Sequence, residues 1–293
     1  MCGIGGFYRA NEGYISDWEK EALLDLWIEL EKRGNMAAGV AMPGADNSVN
    51  IMKSVGPSSE FGPKVWQGAW HKNPMPRWVM LHTRLTTHGS AWNNLNNHPM
   101  MSGNVVLSHN GVIWNHNNVL QKLGVKASRQ VDTEAILQCL VRGGIDEVVQ
   151  HVRGSYSIAY SDEPGSFCLF TNGSNPLVYA RLYNGNYFYA STRTIIESLG
   201  LRFKYIKDVA PGVLYRFHLN GLTRTTHKLP KLEPRKASIS TDWRDYAGKQ
   251  TSGPKTASKS KQTTFKEKKI DDSDIDFDEL FPRRGWKNWR DYY

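Results

Sequence analysis

Apolar residues recur at helical spacing near the beginning of the sequence. Between Ser16 and Gly34 they fall three or four residues apart on one stripe, formed by Trp18, Ala22, Leu23, Leu26, Trp27 and Leu30. Ser16 and Glu19 stand at the spacing of a capping box, and Gly34 follows the last apolar position. The pattern predicts an amphipathic helix over Ser16–Gly34.

Further along, short apolar runs alternate with turn sequences. Two more helices are predicted in DTEAILQCLVRGG and IDEVVQHV. Strands are predicted in the β-rich runs AAGVAM, RWVMLHTRL, NVVLSHN, SYSIAYS, FCLFTN, LVYARL, NYFYAST and VLYRFHL. Hairpin-type turns such as DEPG, YNGN and LNG join several of them. Many antiparallel strands with a few interspersed helices predict an α+β layered domain.

The composition changes at about Lys228, where the apolar periodicity stops. Lys, Ser, Thr, Pro and Gly dominate residues 228–269, and such a segment buries too little apolar surface to offset chain entropy. Residues 270–293 begin acidic, in DDSDIDFDEL, and end in the aromatic sequence FPRRGWKNWRDYY. We expect a folded domain at 2–227, a basic flexible linker at 228–269, and a disordered acidic and aromatic tail at 270–293.

Charge, hydropathy and cysteine usage narrow the class of protein. The 293 residues carry a formal net charge of +9. They contain no run of about 18 apolar residues and no stretch of the signal-peptide type. Cys2, Cys139 and Cys168 are widely spaced and lack the paired spacing of zinc sites. We expect a soluble, cytoplasmic protein without a metal, a cofactor or a membrane contact.

The sequence MCGIGGF has two interpretations. In the first it is an ordinary strand in which Cys2 is a small buried hydrophobe, since cysteine is among the most buried residue types. In the second, removal of Met1, which the small side chain of residue 2 permits, leaves the Cys2 thiol beside a free α-amine. Such an arrangement supplies a nucleophile and a base on one residue.

Three polar stretches carry candidate chemistry. HTRLTTHGSAWNNLNNHP, residues 82–99, follows a predicted strand and concentrates His, Arg, hydroxyl and amide side chains. SHNGVIWN contains Asn-Gly, whose ordinary interpretation is a hairpin turn. In VDTEAIL, Asp132 and Thr133 are ordinary helix-capping residues. Taken singly, each stretch is explained by local structure.

The order of these motifs changes the interpretation. MCGI, RGNMAAG, HTR with THG, HNG, DTE and RGSYSIAY follow one another as in the class II glutamine amidotransferase domain, which this chain resembles from about Cys2 to Leu219. That N-terminal-nucleophile glutaminase domain occurs in glucosamine-6-phosphate synthase, phosphoribosyl-pyrophosphate amidotransferase and asparagine synthetase. The resemblance implies a four-layer αββα sandwich of the Ntn-hydrolase type, with two antiparallel sheets between layers of helices.

The resemblance implies a catalytic set as well. The Cys2 thiolate attacks the side-chain amide of glutamine, the α-amine relays the proton to the departing ammonia, and water releases glutamate from the thioester. A thiol of pKa about 8.5 beside an amine of pKa about 8 suits this chemistry. Asn110, through its side-chain amide, and Gly111, through its backbone N–H, match the pair that binds the oxyanion.

Further positions match substrate contacts of the family. Arg84 corresponds to the arginine that grips the α-carboxylate of glutamine, and Thr87 and His88 lie where hydroxyl and backbone contacts are added. Asp132 matches the carboxylate that binds the α-ammonium group, and Arg33 matches a structural arginine near the nucleophile. The chain departs from the family at Met36, where an acidic residue is common, and at Asn35 and Thr86.

The partners follow from what the sequence lacks. Nothing that looks folded remains after about Leu229, so we expect the ammonia to pass to a synthase partner in trans. The aromatic residues of 275–293 are candidate anchors for docking to it, and the alternative is a solvated tail. Nucleic acid binding by the basic linker is disfavoured, because its lysines lack interleaved aromatic residues.

Two other functions remain open at this point. The same fold and the same clamp also suit hydrolysis of another γ-glutamyl amide. A non-catalytic adaptor that works through its tail is the alternative from a different class, and the presence of Cys2, Asn110 and Gly111 argues against it.

Overall fold

The computed structural model describes residues 2–44, 46, 48–72, 75–86, 88–163, 165–219 and 221–230. Most of the predicted linker and all of the predicted tail, from residue 231 onward, lie outside the described residues. No helix in the described part is long and apolar enough to cross a membrane.

The described residues form an α+β fold. Its strands are β1 Gly3–Tyr8, β2 Ala37–Pro43, β3 Val49–Val55, β4 Trp78–Arg84, β5 Met100–Ser102, β6 Val105–Ile113, β7 Gly154–Ser161, β8 Phe167–Thr171, β9 Val178–Leu182, β10 Tyr187–Ala190, β11 Phe203–Asp208, β12 Val213–His218 and β13 Gly221–Thr226. Its α-helices are α1 Asp17–Glu29, α2 Ser58–Lys72, α3 His116–Leu123, α4 Thr133–His151 and α5 Arg193–Glu197. Short 3₁₀ helices span Leu30–Arg33 and Asn94–Asn96.

The strands assemble into two antiparallel sheets. The larger has seven strands in the order β11-β9-β10-β1-β4-β2-β3, so that β1 lies in its middle. The smaller has six strands in the order β13-β12-β8-β7-β6-β5. The connection from β8 to β9 passes from the smaller sheet to the larger one.

Three apolar clusters separate four layers. One packs α1 and α2 on the larger sheet and includes Leu26 and Trp27. A second packs α3 and α4 on the smaller sheet and includes Ile136. The third fills the space between the two sheets with residues such as Ile4 and Val106. These three interfaces confirm the expected αββα sandwich, since each buries one face of an element that is apolar on that side.

The first predicted helix is confirmed, and most of its stripe is buried. Leu23, Leu26 and Trp27 are fully buried, whereas Trp18 is 38% exposed and does not belong to the core. Glu19 is buried because its carboxylate accepts hydrogen bonds from the backbone N–H of Ser16 at 2.9 Å and from its hydroxyl at 2.8 Å. The capping box predicted from sequence therefore fixes the start of α1.

The other predicted elements are also present, with one local difference. The helices predicted in DTEAILQCLVRGG and IDEVVQHV are the two halves of α4, which Gly143 and Gly144 interrupt with non-helical backbone angles. All eight predicted strand runs are found. Several elements were not predicted, namely α2, α3, α5, β3, β5, β11 and β13. Helix α2 contains Pro63, and β3 is only half-buried along its length.

Candidate active site

Cys2 is held at the start of the central strand of the larger sheet. The Nε of Arg33 donates to the Cys2 carbonyl oxygen at 2.9 Å. Two residues on, Ile4 and Ser191 exchange backbone and side-chain hydrogen bonds of 2.8 Å. A Cβ at Gly3 would lie 2.6 Å from the hydroxyl oxygen of Thr83, so a residue with a side chain does not fit at this position. The backbone that carries the Cys2 thiol is therefore held in place.

A solvent-open cavity with an empty volume of about 270 Å³ lies over this cysteine. Residues from both sheets and from the beginning of α4 contribute to it. The lining residues are Cys2, Arg84, Leu85, His88, His98, His109, Gly111, Val131, Asp132 and Thr133. The thiol thus shares one cavity with a guanidinium group and a carboxylate.

Gly111 lines this cavity from the middle of β6, and Asn110 precedes it in the same strand. The hairpin-turn interpretation of Asn-Gly is therefore wrong, since both residues are paired with β7 in a continuous strand. Asn110 is 1% exposed, and its side-chain Nδ2 has no hydrogen-bond partner among the described residues. Gly111 has φ +150°, and a Cβ there would lie 1.9 Å from the Ser155 carbonyl oxygen. A buried amide donor without a partner is costly, and such groups concentrate at functional sites.

Asp132 precedes α4 but does not cap it through its side chain. Its Oδ2 accepts instead from the backbone N–H of Ile113 at 2.6 Å, across to β6. The preceding loop is held by the buried carboxylate of Glu134, which accepts from the backbone N–H groups of Ser128 and Arg129. Asp132 is thereby fixed between α4 and the strand that carries Asn110.

Arg84 ends β4, and its guanidinium group organises the loop that follows. It donates to Asn97 Oδ1 at 2.6 Å, to the Gly89 carbonyl at 3.0 Å and to the carbonyl of His88. A longer contact of 3.5 Å joins it to the Ser90 carbonyl. All four acceptors are uncharged, so none of these hydrogen bonds neutralises the positive charge of the guanidinium group. The 3.5 Å contact with the Ser90 carbonyl is the weakest of the four.

A lysine supports the same loop from the edge of the sheet. Lys53 on β3 donates from Nζ to the Asn97 carbonyl oxygen at 3.0 Å. Burial, together with the nearby charge of Arg129, lowers the pKa of Lys53 to about 8. Asn97 therefore accepts hydrogen bonds from two cationic side chains. Lys53 donates to its backbone carbonyl oxygen, and Arg84 donates to its side-chain oxygen.

Three histidines are buried beneath the cavity around one threonine. The hydroxyl oxygen of Thr133 lies 3.0 Å from His98 Nε2 and 2.9 Å from His109 Nδ1. The rings of His82 and His98 are 4.4 Å apart between centroids. Burial lowers the pKa of His82 to about 3, that of His98 well below its usual range, and that of His109 as well. The cluster is therefore neutral at physiological pH and connects β4, β6 and α4.

The thiol of Cys2 is protonated in this setting. Burial raises its pKa, and a backbone hydrogen bond from Leu85 and the charge of Arg84 oppose that rise only in part. The thiol donates from Sγ to the Leu85 carbonyl oxygen at 3.4 Å, a bond that only the protonated group can make. A thiol of this kind becomes a nucleophile when a nearby base removes its proton.

The structure brings most of the predicted site residues together. Arg33 lies behind the cavity on the Cys2 carbonyl, and Thr87 lies outside the described residues. Exposed His88 contributes its carbonyl to Arg84, and its ring lies 5.9 Å from that of His116. Cys2, Arg84, Gly111 and Asp132 line the cavity with His88, and Asn110 adjoins it.

Sequence reasoning assigned no role to several supporting residues. Asn97 bonds Arg84, Glu134 holds the loop that precedes Asp132, and Thr133 bonds the buried His98 and His109. The only sequence signal was their position next to a motif residue, in DTE or in NNHP.

Comparison with known proteins identifies the family. The profile described as "Glutamine amidotransferase domain" matches residues 35–234, more than half of the chain. The chain belongs to this family, and its domain is an enzyme domain of the class II, N-terminal-nucleophile type.

Two curated relatives are isomerizing glutamine–fructose-6-phosphate aminotransferases. That of Haemophilus ducreyi is 29% identical over 227 residues and that of Aliivibrio fischeri is 28% identical over 222. Each match covers 71% of this chain and 34% of the relative, so the chain spans about a third of the length of these proteins.

Solved structures share the fold at lower identity. The phosphoribosylpyrophosphate amidotransferase of B. subtilis superposes with a TM-score of 0.62 at 20% identity, covering 78% of this chain and 50% of that one. A structure described as the allosteric regulatory enzyme of purine biosynthesis gives 0.63, with the same identity and coverage. These likenesses establish the architecture.

The histidine cluster predicts a pH dependence of stability. The folded-state pKa values lie below the unfolded value of about 6.5, so the unfolded chain takes up protons first as the pH falls. The free energy of unfolding should decrease from about pH 6.5 downward, by up to about 1.4 kcal/mol per pH unit for each histidine. Urea unfolding of the wild type and of His98→Gln at several pH values between 7 and 5 measures this. The variant should lose less stability on acidification, and equal losses would contradict the prediction.

Proposed function

We propose that the chain is a glutamine-hydrolysing amidotransferase subunit in which Cys2, exposed by removal of Met1, is the nucleophile. The observation that carries the proposal is the cavity in which the Cys2 thiol, the Arg84 cation and the Asp132 anion converge. Glutamine is a zwitterion with a carboxamide at its far end. The cation therefore matches its α-carboxylate, the anion matches its α-ammonium group, and the thiol matches its carboxamide.

Proton transfer begins the reaction. Because burial raises the pKa of the Cys2 thiol, the group needs a base, and the α-amine on the same residue has an ordinary pKa of about 8. The amine takes the thiol proton as the sulfur attacks the amide carbon and the C=O becomes an oxyanion. The C–N bond then breaks, the proton passes to the departing ammonia, and a thioester remains. Water attacks the thioester, and glutamate leaves with the thiol restored.

Asn110 and Gly111 are proposed to bind the oxyanion. The buried Nδ2 of Asn110 has no partner within the described part of the chain, so an oxyanion would satisfy a donor that is otherwise left open. Loss of one such donor typically costs about 10² to 10³ in rate. The N–H of Gly111 supplies the second donor from the same strand, where only glycine fits beside Ser155.

Arg84 and Asp132 are proposed to hold the two ends of the amino acid. The α-carboxylate would meet the Arg84 guanidinium in place of the long Ser90 contact, and the α-ammonium would meet Asp132. The family resemblance adds Thr87 and His88 to the carboxylate contacts. Arg33 supports the nucleophile through the Cys2 carbonyl rather than through substrate.

Covalent labelling with a diazo-ketone analogue of glutamine tests this site. Intact-mass spectrometry should show loss of Met1 and a single adduct on the wild type, and no adduct on Cys2→Ala. Cys139→Ala is the matched control, because Cys139 is fully buried on α4 in the core against the smaller sheet, and its replacement should leave labelling unchanged. An adduct on Cys2→Ala, or no adduct on wild type that starts at Cys2, would contradict the proposal. If another γ-glutamyl amide protected Cys2 from labelling better than glutamine does, that amide rather than glutamine would be the substrate.

The ammonia is proposed to pass to a synthase partner in trans. The chain covers about a third of relatives whose names describe an aminotransferase acting on fructose 6-phosphate, which supports a nitrogen acceptor for this domain too. The sequence of the tail supports the docking role, because Trp286, Trp289 and Tyr292 are the residue types that dominate interface hot spots.

Deletion of residues 228–293 tests the docking role. The truncated chain should keep glutaminase activity but co-purify with less of its partner than the full chain does. A full-length variant with Trp286→Ala and Trp289→Ala should lose the partner to a similar extent, whereas neutralising the lysines of 228–269 should have a smaller effect. Unchanged co-purification of the truncated chain would overturn the docking role, and loss only on removal of the lysines would point to nucleic acid.

A further inference from the structure

We infer that Asn175 is a positioning residue for the oxyanion-binding peptide between Asn110 and Gly111. The inference rests on the proposed function, because it assigns to Asn175 a role in the same amide hydrolysis. Asn175 lies in the connection from β8 to β9, where the chain passes from the smaller sheet to the larger one. It was not singled out by any motif in the sequence.

The contact that carries the inference joins Asn175 to β6. Its side-chain Nδ2 donates to the Asn110 carbonyl oxygen at 3.2 Å, between residues 65 positions apart. Both partners are buried, with Asn110 1% and Asn175 6% exposed. A hydrogen bond in such a place is strengthened by the low local dielectric and is not exchanged with water.

Peptide geometry transmits this contact to the catalytic donor. The carbonyl of Asn110 and the N–H of Gly111 belong to one planar trans peptide group and point in opposite directions. The hydrogen bond that the Asn110 carbonyl accepts from Asn175 therefore also fixes the direction of the Gly111 N–H, which points to the opposite side of the peptide. This matters because Gly111 has φ +150°, a backbone conformation in which no side chain restrains the peptide plane.

Asn175 is itself held rigidly. Its backbone carbonyl accepts from the Ser157 hydroxyl at 2.7 Å and from the Thr171 hydroxyl at 3.1 Å. Ser157 is also the residue paired with Asn110 across β6 and β7. Asn175, the two hydroxyl groups that hold it and the peptide that it orients thus form one buried unit. Such rigidity is what electrostatic preorganisation of an oxyanion site requires.

The consequence is a contribution to the transition state rather than to substrate binding. The side-chain donor of Asn175 is used on the Asn110 carbonyl, whereas the proposed contacts to the two ends of the amino acid come from Arg84 and Asp132. Its loss should loosen the Gly111 donor, which is used only once the carbonyl oxygen has become an oxyanion. kcat should therefore fall while KM for glutamine stays nearly constant.

The test compares Asn175→Ala and Asn175→Asp with a matched control, Asn172→Ala. The aspartate variant keeps the shape of the side chain but removes the donor. Asn172 lies in the same connection and is bonded to β7: its Nδ2 donates to the Gly154 carbonyl at 2.8 Å and its Oδ1 accepts from the Tyr156 N–H at 3.1 Å, whereas the Asn110 carbonyl is bonded by Asn175. Glutaminase kcat and KM, and thermal unfolding, are measured for each full-length protein.

A second readout separates positioning from a structural role. The aldehyde analogue of glutamine, glutamate γ-semialdehyde, adds the Cys2 sulfur to its carbonyl carbon and places an oxygen at the oxyanion position, whereas glutamate forms no such adduct. In both Asn175 variants kcat should fall about tenfold, less than for loss of a whole donor. Aldehyde inhibition should weaken by a similar factor, and glutamate inhibition should stay within about twofold. Asn172→Ala should change none of these ratios.

Three outcomes would overturn the inference. They are an unchanged kcat in Asn175→Asp, equal weakening of aldehyde and glutamate, and the same kinetic loss in Asn172→Ala. If Asn175→Ala does not fold, the aspartate variant alone decides. Failure of the proposed function looks different, since the wild type would then hydrolyse no glutamine, or Cys2→Ala would hydrolyse it equally well.

Discussion

The candidate active site depends on the placement of β1 in the middle of the larger sheet. This strand is hydrogen-bonded to β10 on one edge and to β4 on the other, so the residue just before it cannot drift relative to the fold. Arg33 holds the Cys2 carbonyl, and Gly3 passes against Thr83 where no side chain fits. A terminal nucleophile would otherwise occupy the most mobile part of a chain.

The second half of the site comes from the other sheet. Ile4, two residues from Cys2, and Val106, on the strand of Asn110, pack in the same apolar cluster between the sheets. Burial of that cluster fixes the distance between the proposed nucleophile and the proposed oxyanion donors, because closely packed interiors resist sliding. The buried polar groups around it, from Thr133 and its histidines to Asn175, then fix orientation rather than position.

The sequence predicted the layers, most strands and half of the residues that line the cavity, and it missed the residues that support them. Periodicity reveals α1 and the apolar strands, because one face of each is buried over many residues. Motif order reveals Cys2, Arg84 and Asp132. Asn97 and Asn175 act through hydrogen bonds that reach other segments of the chain, and a lone polar residue in a loop carries no local pattern that distinguishes such a bond from exposure to solvent.

The same limit explains the Asn-Gly pair. Asn-Gly between apolar runs is the strongest short signal for a hairpin, yet here it lies inside β6, where a Cβ at Gly111 would overlap the Ser155 carbonyl. The glycine is required by the neighbouring strand and not by a turn, and that neighbour becomes visible only in the folded structure.

The central claim is that Cys2 acts as an N-terminal nucleophile, and one comparison tests it most directly. Two forms of the same chain, one starting at Met1 and one at Cys2 and each verified by intact mass, are assayed for release of glutamate and ammonia from glutamine. The account predicts equimolar release by the form that starts at Cys2 and none above background by the form that retains Met1. Equal rates for the two forms would show that the free α-amine of Cys2 is not the base, and would contradict the account.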